Sequence, residues 1–316
     1  MDKVNNRLFI GHHGNSRYDI YQLGEDGLPD ERHAVETIGR NMIGRGFAWA
    51  PLGTQELNFP SGGEFDPVYQ RLILPDYSSL GPPGARILVF DVAPDTLAAL
   101  ERGELPEAIA VLGQPHFDTW DPGLSRSKIA SRARVVIDPD RQLAFITDSA
   151  NHRVLVWDIH PDRLESGMDA MTVIGQPDFD TNVPTTTTTG LRGPSDITYN
   201  PERQELFVSD SGNNRVMVFS VSDAELARET GLEAFAVIGQ DDFTSRDIRT
   251  DLRKLKAERI GIDYRYHRLF NGEQFGNRVM VFDVDPDTLQ GAINPDAIAV
   301  LGQPNYQSTD PAVTQT

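Results

Sequence analysis

A glycine–glutamine marker returns at almost constant spacing along this chain, and it constrains the fold more than any other feature. It reads Val111-Leu112-Gly113-Gln114-Pro115, Val173-Ile174-Gly175-Gln176-Pro177, Val237-Ile238-Gly239-Gln240 and Val300-Leu301-Gly302-Gln303-Pro304. Successive glycines are 62, 64 and 63 positions apart. Thr37-Ile38-Gly39-Arg40 is a degenerate first copy. Its distance of 74 to Gly113 signals an insertion, placed in part at the Pro-rich Leu80-Gly81-Pro82-Pro83-Gly84-Ala85. Self-similarity at a fixed period indicates a solenoid or a propeller, in which each copy hides its apolar face against its neighbours.

A second marker falls between the glycines. Asp210-Ser211-Gly212-Asn213-Asn214-Arg215-Val216-Met217-Val218-Phe219 reads as a tight turn followed by a buried strand. Residues 148–157 are its nearest copy, 277–283 and 86–91 are a third and fourth, and 15–21 a weak fifth. Around Asp210 the whole unit is legible. A first strand over 194–199 ends at Asn200-Pro201, and a second over 205–209 is rich in aromatic and β-branched residues. The third covers 216–219 and the fourth 234–238. Ser222-Asp223-Ala224-Glu225 has the form of a capping box, and Asp285-Pro286 opens the same short helix in the last repeat.

Four short strands per unit make a propeller blade, and the helix between third and fourth strands lengthens the period. The expectation is therefore an all-β propeller of five four-stranded repeats in one domain. The repeats run over 1–43, 44–118, 119–180, 181–243 and 244–306, with a tail at 307–316. Met1 falls beyond the place of a first strand in its repeat, so only four first strands are expected. Pro311-Ala312-Val313-Thr314 crossing over to the first blade would complete a five-bladed ring; a six-bladed or incomplete ring is the alternative.

The pattern Pro-x-Asp/Gly-Ile followed by Leu-Phe-Val-x-Asp-Ser-x-Asn-x-Arg-Val-x-Val-Phe resembles the NHL repeat. The match is strongest over 125–240 and extends over 56–112 and 252–304. The resemblance implies a β-propeller, most often six-bladed, and favours an extracellular or periplasmic location. A formal charge of −18 disfavours nucleic acid and anionic membranes as partners. The absence of cysteine excludes disulfides and thiolate chemistry. No run of eighteen apolar residues occurs, so membrane insertion is not expected.

Asp148 and Arg153, Asp210 and Arg215, and Glu273 and Arg278 each stand five apart, so each turn is expected to close on a charge-assisted hydrogen bond. His12 occupies the acid's place before Arg17, where the pairing is lost or pH-dependent. NHL-like amidating lyases hold zinc through central histidines. The histidines here, His12, His13, His33, His116, His152, His160 and His267, include none at first-strand positions. A calcium-dependent lactonase would need acids meeting at the axis, and only Asp196 and Glu258 are near candidates. No cofactor is expected; axial calcium or zinc belongs to the alternative reading.

Where the first strands approach the central channel, the residues differ from copy to copy. Gly62, Arg134, Asp196 and Arg259 align with one another, as do Ser61, Ala133, Ser195 and Glu258. Arg134, Asp196, Glu258 and Arg259 are therefore the candidate ligand-binding residues, and no catalytic set is readable. The functional expectation is a non-catalytic recognition or scaffold propeller. Its partner would be a protein, peptide or carbohydrate, or other domains of a longer chain. The rival is a metal-dependent enzyme, lactonase-like or amidating-lyase-like. The Thr185–Thr189 run reads as a low-complexity connector.

Overall fold

The computed structural model describes residues 1–12, 16–29, 34–39, 53–78, 84–100, 104–247, 257–274, 276–289 and 294–310. The fold is an all-β, five-bladed propeller of antiparallel sheets. Blade one comprises β1 (Arg7–His12), β2 (Arg17–Gln22) and β3 (Glu36–Ile38). In blade two, β4 (Phe59–Pro60) and β5 (Glu64–Asp66) both pair with β6 (Arg71–Ser78), followed by β7 (Gly84–Asp91) and β8 (Ala108–Leu112). Blade three holds β9 (Val135–Asp138), β10 (Leu143–Asp148), β11 (Arg153–Asp158) and β12 (Thr172–Ile174). Blade four holds β13 (Asp196–Asn200), β14 (Glu205–Asp210), β15 (Arg215–Ser220) and β16 (Ala234–Ile238). Blade five holds β17 (Arg259–Asp263), β18 (Arg268–Glu273), β19 (Arg278–Asp283) and β20 (Ala297–Leu301).

Blade one departs from the four-stranded pattern, with three strands among the described residues. The tail at 311–314, expected to complete it, lies outside them. The first interval's extra length is partly located: Asp76 registers with Arg86 ten positions on, whereas Asp210 and Arg215 are five apart. The chain divides into two compact units, residues 1–145 with 157–170 and residues 146–156 with 171–316.

Within each unit, sheets pack face to face. Phe207, Val216 and Val218 of blade four join Leu269, Met280 and Phe282 of blade five in one buried cluster. Tyr18, Ile20 and Ile38 of blade one do the same with Leu72, Leu74, Leu88 and Phe90 of blade two. Burying each large apolar side chain contributes about 1.5–3 kcal/mol. Middle strands are covered on both faces, which explains their unbroken apolar runs: every residue of β14 is buried. The outermost strands keep exposed positions, Phe235 in β16 and Ile298 and Leu301 in β20.

Short helices α1 (Pro94–Ala98), α2 (Asp223–Leu226) and α3 (Pro286–Leu289) stand between third and fourth strands. The Ser222 hydroxyl accepts the Glu225 N–H at 3.4 Å, and Asp285 Oδ1 accepts that of Asp287 at 2.9 Å. Among the described residues no helix is long and apolar enough to cross a membrane.

The glycine–glutamine marker has a mechanical explanation. Gly113, Gly175, Gly239 and Gly302 all adopt positive φ, from 78° to 95°. A Cβ on Gly175 would stand 2.5 Å from Leu191 Cδ1, so only glycine fits. The following glutamine bridges two loops. Gln240 Nε2 donates to the carbonyls of Asn214 and Asp247, both at 2.9 Å, and its Oε1 accepts the Asp247 N–H at 2.8 Å. Gln114, Gln176 and Gln303 make the corresponding donations to Ala85 and Asp121, His152 and Val183, and Asn277 and Asp310.

Candidate functional site

The repeated charges go into the turns. Arg153 Nε donates to Asp148 at 2.9 Å, Arg215 Nε to Asp210 at 2.7 Å and Arg278 Nε to Glu273 at 2.7 Å. Each of these arginines also reaches a carbonyl of the loop after the fourth strand: Phe179, Phe243 and Tyr306 respectively. The two sequence markers are thereby joined in every one of these blades. Arg86 follows the same plan, with Asp76 as its acid at 3.1 Å, the carbonyls of Glu56 and Phe117 as further acceptors, and the Trp120 ring 4.6 Å away. Burial pushes the Asp76 and Asp210 carboxyls up and the Arg86 guanidinium down, and the partner charges oppose those shifts. The additional hydrogen bonds offset that desolvation.

In blade one the acid is Asp19, two residues beyond Arg17. Its Oδ2 lies 3.0 Å from Arg17 and 3.0 Å from His12 Nε2, the latter without hydrogen-bond alignment. The threonine run is not a loose connector. Asn213 donates to the Thr185 carbonyl at 2.9 Å, Arg215 donates to the Thr187 and Gly190 carbonyls, and the Thr188 carbonyl accepts the Ala234 N–H. It straps the Asp210 turn to the outer strand.

The described histidines do not converge. His152 takes the left-handed turn position, φ 56°, filled by Asn214 and Asn277 in other blades, and its Nδ1 accepts the Gly193 N–H at 3.0 Å. His160 Nε2 stands 3.2 Å from the Tyr69 hydroxyl, and His267 lies 4.0 Å from Asp285. His116 is exposed, and His13 and His33 lie outside the described residues. Among the described residues no group of three His, Asp or Glu side chains is placed to hold a metal ion.

Of the first-strand candidates, Asp196, Glu258 and Arg259 lie together in the second unit. Asp196 Oδ2 accepts the Ile260 N–H at 3.1 Å, and Glu258 Oε2 accepts the Gln274 N–H at 2.5 Å. Ser195 Oγ donates to the Glu258 carbonyl at 3.0 Å and also contacts the hydroxyls of Ser209 and Ser211. Asp196 and Glu258 are half-buried, and Arg259 is exposed. Asp196 thereby ties β13 to β17, and Glu258 ties the residue before β17 to the turn after β18.

Arg134 lies in the first unit, in a different setting. The first strand of blade two is interrupted at Ser61-Gly62-Gly63, between β4 and β5. A Cβ on Gly62, φ 66°, would meet Arg134 Nη1 at 2.5 Å, and one on Gly63 would stand 3.2 Å from the Tyr18 hydroxyl. Tyr18 is 5% exposed and packs over Gly11. Glu64 follows immediately and is half-buried. Burial pushes the Glu64 carboxyl up to about 7, against a small opposing effect of the amino terminus. Burial pushes the Tyr18 phenol up to about 12; Arg134 opposes that shift and Glu64 reinforces it. Arg132 stands over the Tyr77 ring at 5.4 Å. Sequence alignment of the first strands singled out Arg134 here. It missed Tyr18, which stands in the weak motif copy over 15–21 at a position read as buried strand, and Glu64, which no repeated motif marks.

No family of known sequences matches this chain, and no curated protein matches it by sequence. Solved structures do resemble it. A provisionally assigned 6-phosphogluconolactonase from Bacteroides uniformis aligns over 94% of this chain and 71% of its own, with 15% identity and a TM-score of 0.52. A Lactobacillus plantarum protein aligns over 95% and 72%, with 14% identity and a TM-score of 0.53. The β-propeller domain of Swd1 from Myceliophteria thermophila aligns over 96% and 71%, with 11% identity and a TM-score of 0.53. At such identities the likeness is one of fold.

Proposed function

We propose that this chain is a recognition propeller of NHL type that holds a peptide, protein or carbohydrate ligand at its first strands without transforming it. Its repeated Asp, Glu and Arg residues are buried in turn contacts, whereas its blade-specific residues lie nearer the surface. The observation that carries the reading is this division. Arg153 and Arg215 are fully buried, whereas Arg259 is exposed and Arg134, Asp196 and Glu258 are half-buried. Function on a propeller resides in such grafted positions, and the fold alone does not assign it.

Peptide and glycan arrays probed with the purified chain test the reading. Capture of a defined ligand that is lost in Arg259→Ala or Arg134→Gln, at unchanged melting temperature, supports it. Capture unaffected by either substitution overturns it. Two structural neighbours carry a provisional lactonase assignment, so the enzymatic alternative is tested beside it. Stoichiometric calcium or zinc in protein purified without chelator, with lactone turnover, would favour that alternative.

A further inference from the structure

Blades four and five carry the same apolar face in the same register. In blade four Phe207 stands opposite Val218, Val218 opposite Ala236, and Val216 opposite Ile238. In blade five Phe270 stands opposite Val281, Val281 opposite Ala299, and Val279 opposite Leu301. The blade-four residues are fully buried, because Leu269, Met280 and Phe282 of blade five pack over them. Their blade-five counterparts are not covered in this way. Phe270 is 37% and Leu301 52% exposed, and Val279 and Ala299 are half-buried. Leu112, Ile174 and Ile238, which hold the place of Leu301 in the three preceding blades, are 0% exposed.

The strand edge beside that face is open as well. In blades two, three and four, the valine two residues before the marker glycine is clasped by the insert of the next blade. The Gly167 N–H donates to the Val111 carbonyl at 2.9 Å, the Val173 N–H to the Glu229 carbonyl at 2.8 Å, and the Asn294 N–H to the Val237 carbonyl at 2.8 Å. Val300 holds this position in blade five; it is half-buried, and among the described residues no insert clasps it. An apolar surface that is buried in one copy of a repeat and bare in another marks an interaction site.

Blade four shows what fits such a face: a further blade, presenting residues like Leu269, Met280 and Phe282. Blade one of this chain carries a matching face. Strand alternation sets Phe9, Tyr18 and Ile20 against blade two, and it leaves Ile10 and the opposed pair Leu8 and Tyr21 on the other side. Leu8, Ile10 and Tyr21 stand where blade five has Leu269, Asn271 and Phe282. Leu8 and Tyr21 are half-buried, and Ile10 is 37% exposed. We infer that the bare face of blade five is a self-association surface, covered by blade one of a second copy of this chain. Because the two faces differ, the contact is heterologous, and copies joined through it form rings or open chains rather than a two-fold dimer. The inference is independent of the ligand reading above.

Sedimentation of the full chain from about 1 to 100 µM, a range that spans the affinity of a modest protein interface, tests it. The unaltered chain should pass from monomer to dimer and larger species as concentration rises. Leu301→Glu and Ile10→Glu should each weaken association about tenfold or more, with the melting temperature unchanged because both side chains are already exposed. Ile109→Glu, as exposed as Leu301 but placed in blade two, should associate like the parent. An equimolar mixture of Leu301→Glu and Ile10→Glu should form a dimer and stop there, because each chain keeps one intact face; that recovery also shows both variants folded. A chain that stays monomeric throughout the range overturns the inference. So does loss of association in Leu301→Glu but not in Ile10→Glu, which would mean that blade-five faces pair with one another.

Discussion

Replacing Glu64 by glutamine should remove a pH dependence of stability that the unaltered chain carries. The folded-state carboxyl titrates at about 7, against 4.5 for an unperturbed glutamate. Between those values the folded chain binds the proton more tightly than the unfolded chain. Stability therefore falls as pH rises through this window, is highest below it and levels off above it. Each pKa unit corresponds to about 1.4 kcal/mol, so the full difference is about 3 kcal/mol. The amide side chain of the variant cannot ionise, and any fixed effect it has is the same at every pH. The quantity to measure is thus the stability of Glu64→Gln minus that of the parent, by urea unfolding at about pH 4 and about pH 8. It should rise by about 3 kcal/mol across that range, or roughly 5 °C in melting temperature. A difference that stays constant with pH would show that Glu64 is solvated like an ordinary carboxylate.

Other perturbations have equally definite outcomes. Asp210→Ala leaves Arg215 charged and buried, and should cost about 3–5 kcal/mol in denaturant unfolding, whereas a loss under about 1 kcal/mol would contradict the turn-pair account. Gly175→Ala forces a side chain into positive φ against Leu191 and should cost about 2–4 kcal/mol by the same assay. Burial, aided by Arg192, depresses the His152 imidazole below its ordinary 6.5. Its stabilising contribution is therefore present above that value and lost as pH falls through the folded-state midpoint. An NMR titration of the His152 ring should give a midpoint below 6.5, and one at or above 6.5 would refute neutral imidazole as acceptor of the Gly193 N–H.

The architecture was legible because its causes are local and repeated. Positive φ at Gly113, Gly175, Gly239 and Gly302 demands glycine each time, and the neighbouring glutamine bridges the same two loops. The strand bounds of blade four follow from the same alternation of turn and apolar residues. Three features escaped for reasons equally physical. Asp76 was hidden as the partner of Arg86 because the inserted residues double their separation in sequence. The threonines read as a connector because their contribution is through backbone carbonyls, which composition does not reveal. Tyr18 and Glu64 are brought to Arg134 by tertiary packing between blades, and no spacing in the sequence records that proximity. The candidate residues were thus visible only as Arg134 in the first unit and Asp196, Glu258 and Arg259 in the second, where the repeats disagree.

The repeated, buried charges close the turns, and the blade-specific, partly exposed ones are assigned to the ligand. Ligand capture and melting temperature, measured together on Arg215→Met and Arg134→Gln, test that division most directly. The account predicts that the first substitution lowers the melting temperature and leaves affinity intact below the transition, while the second abolishes affinity and leaves melting unchanged. The reverse pattern, or loss of both properties together in both variants, would contradict it.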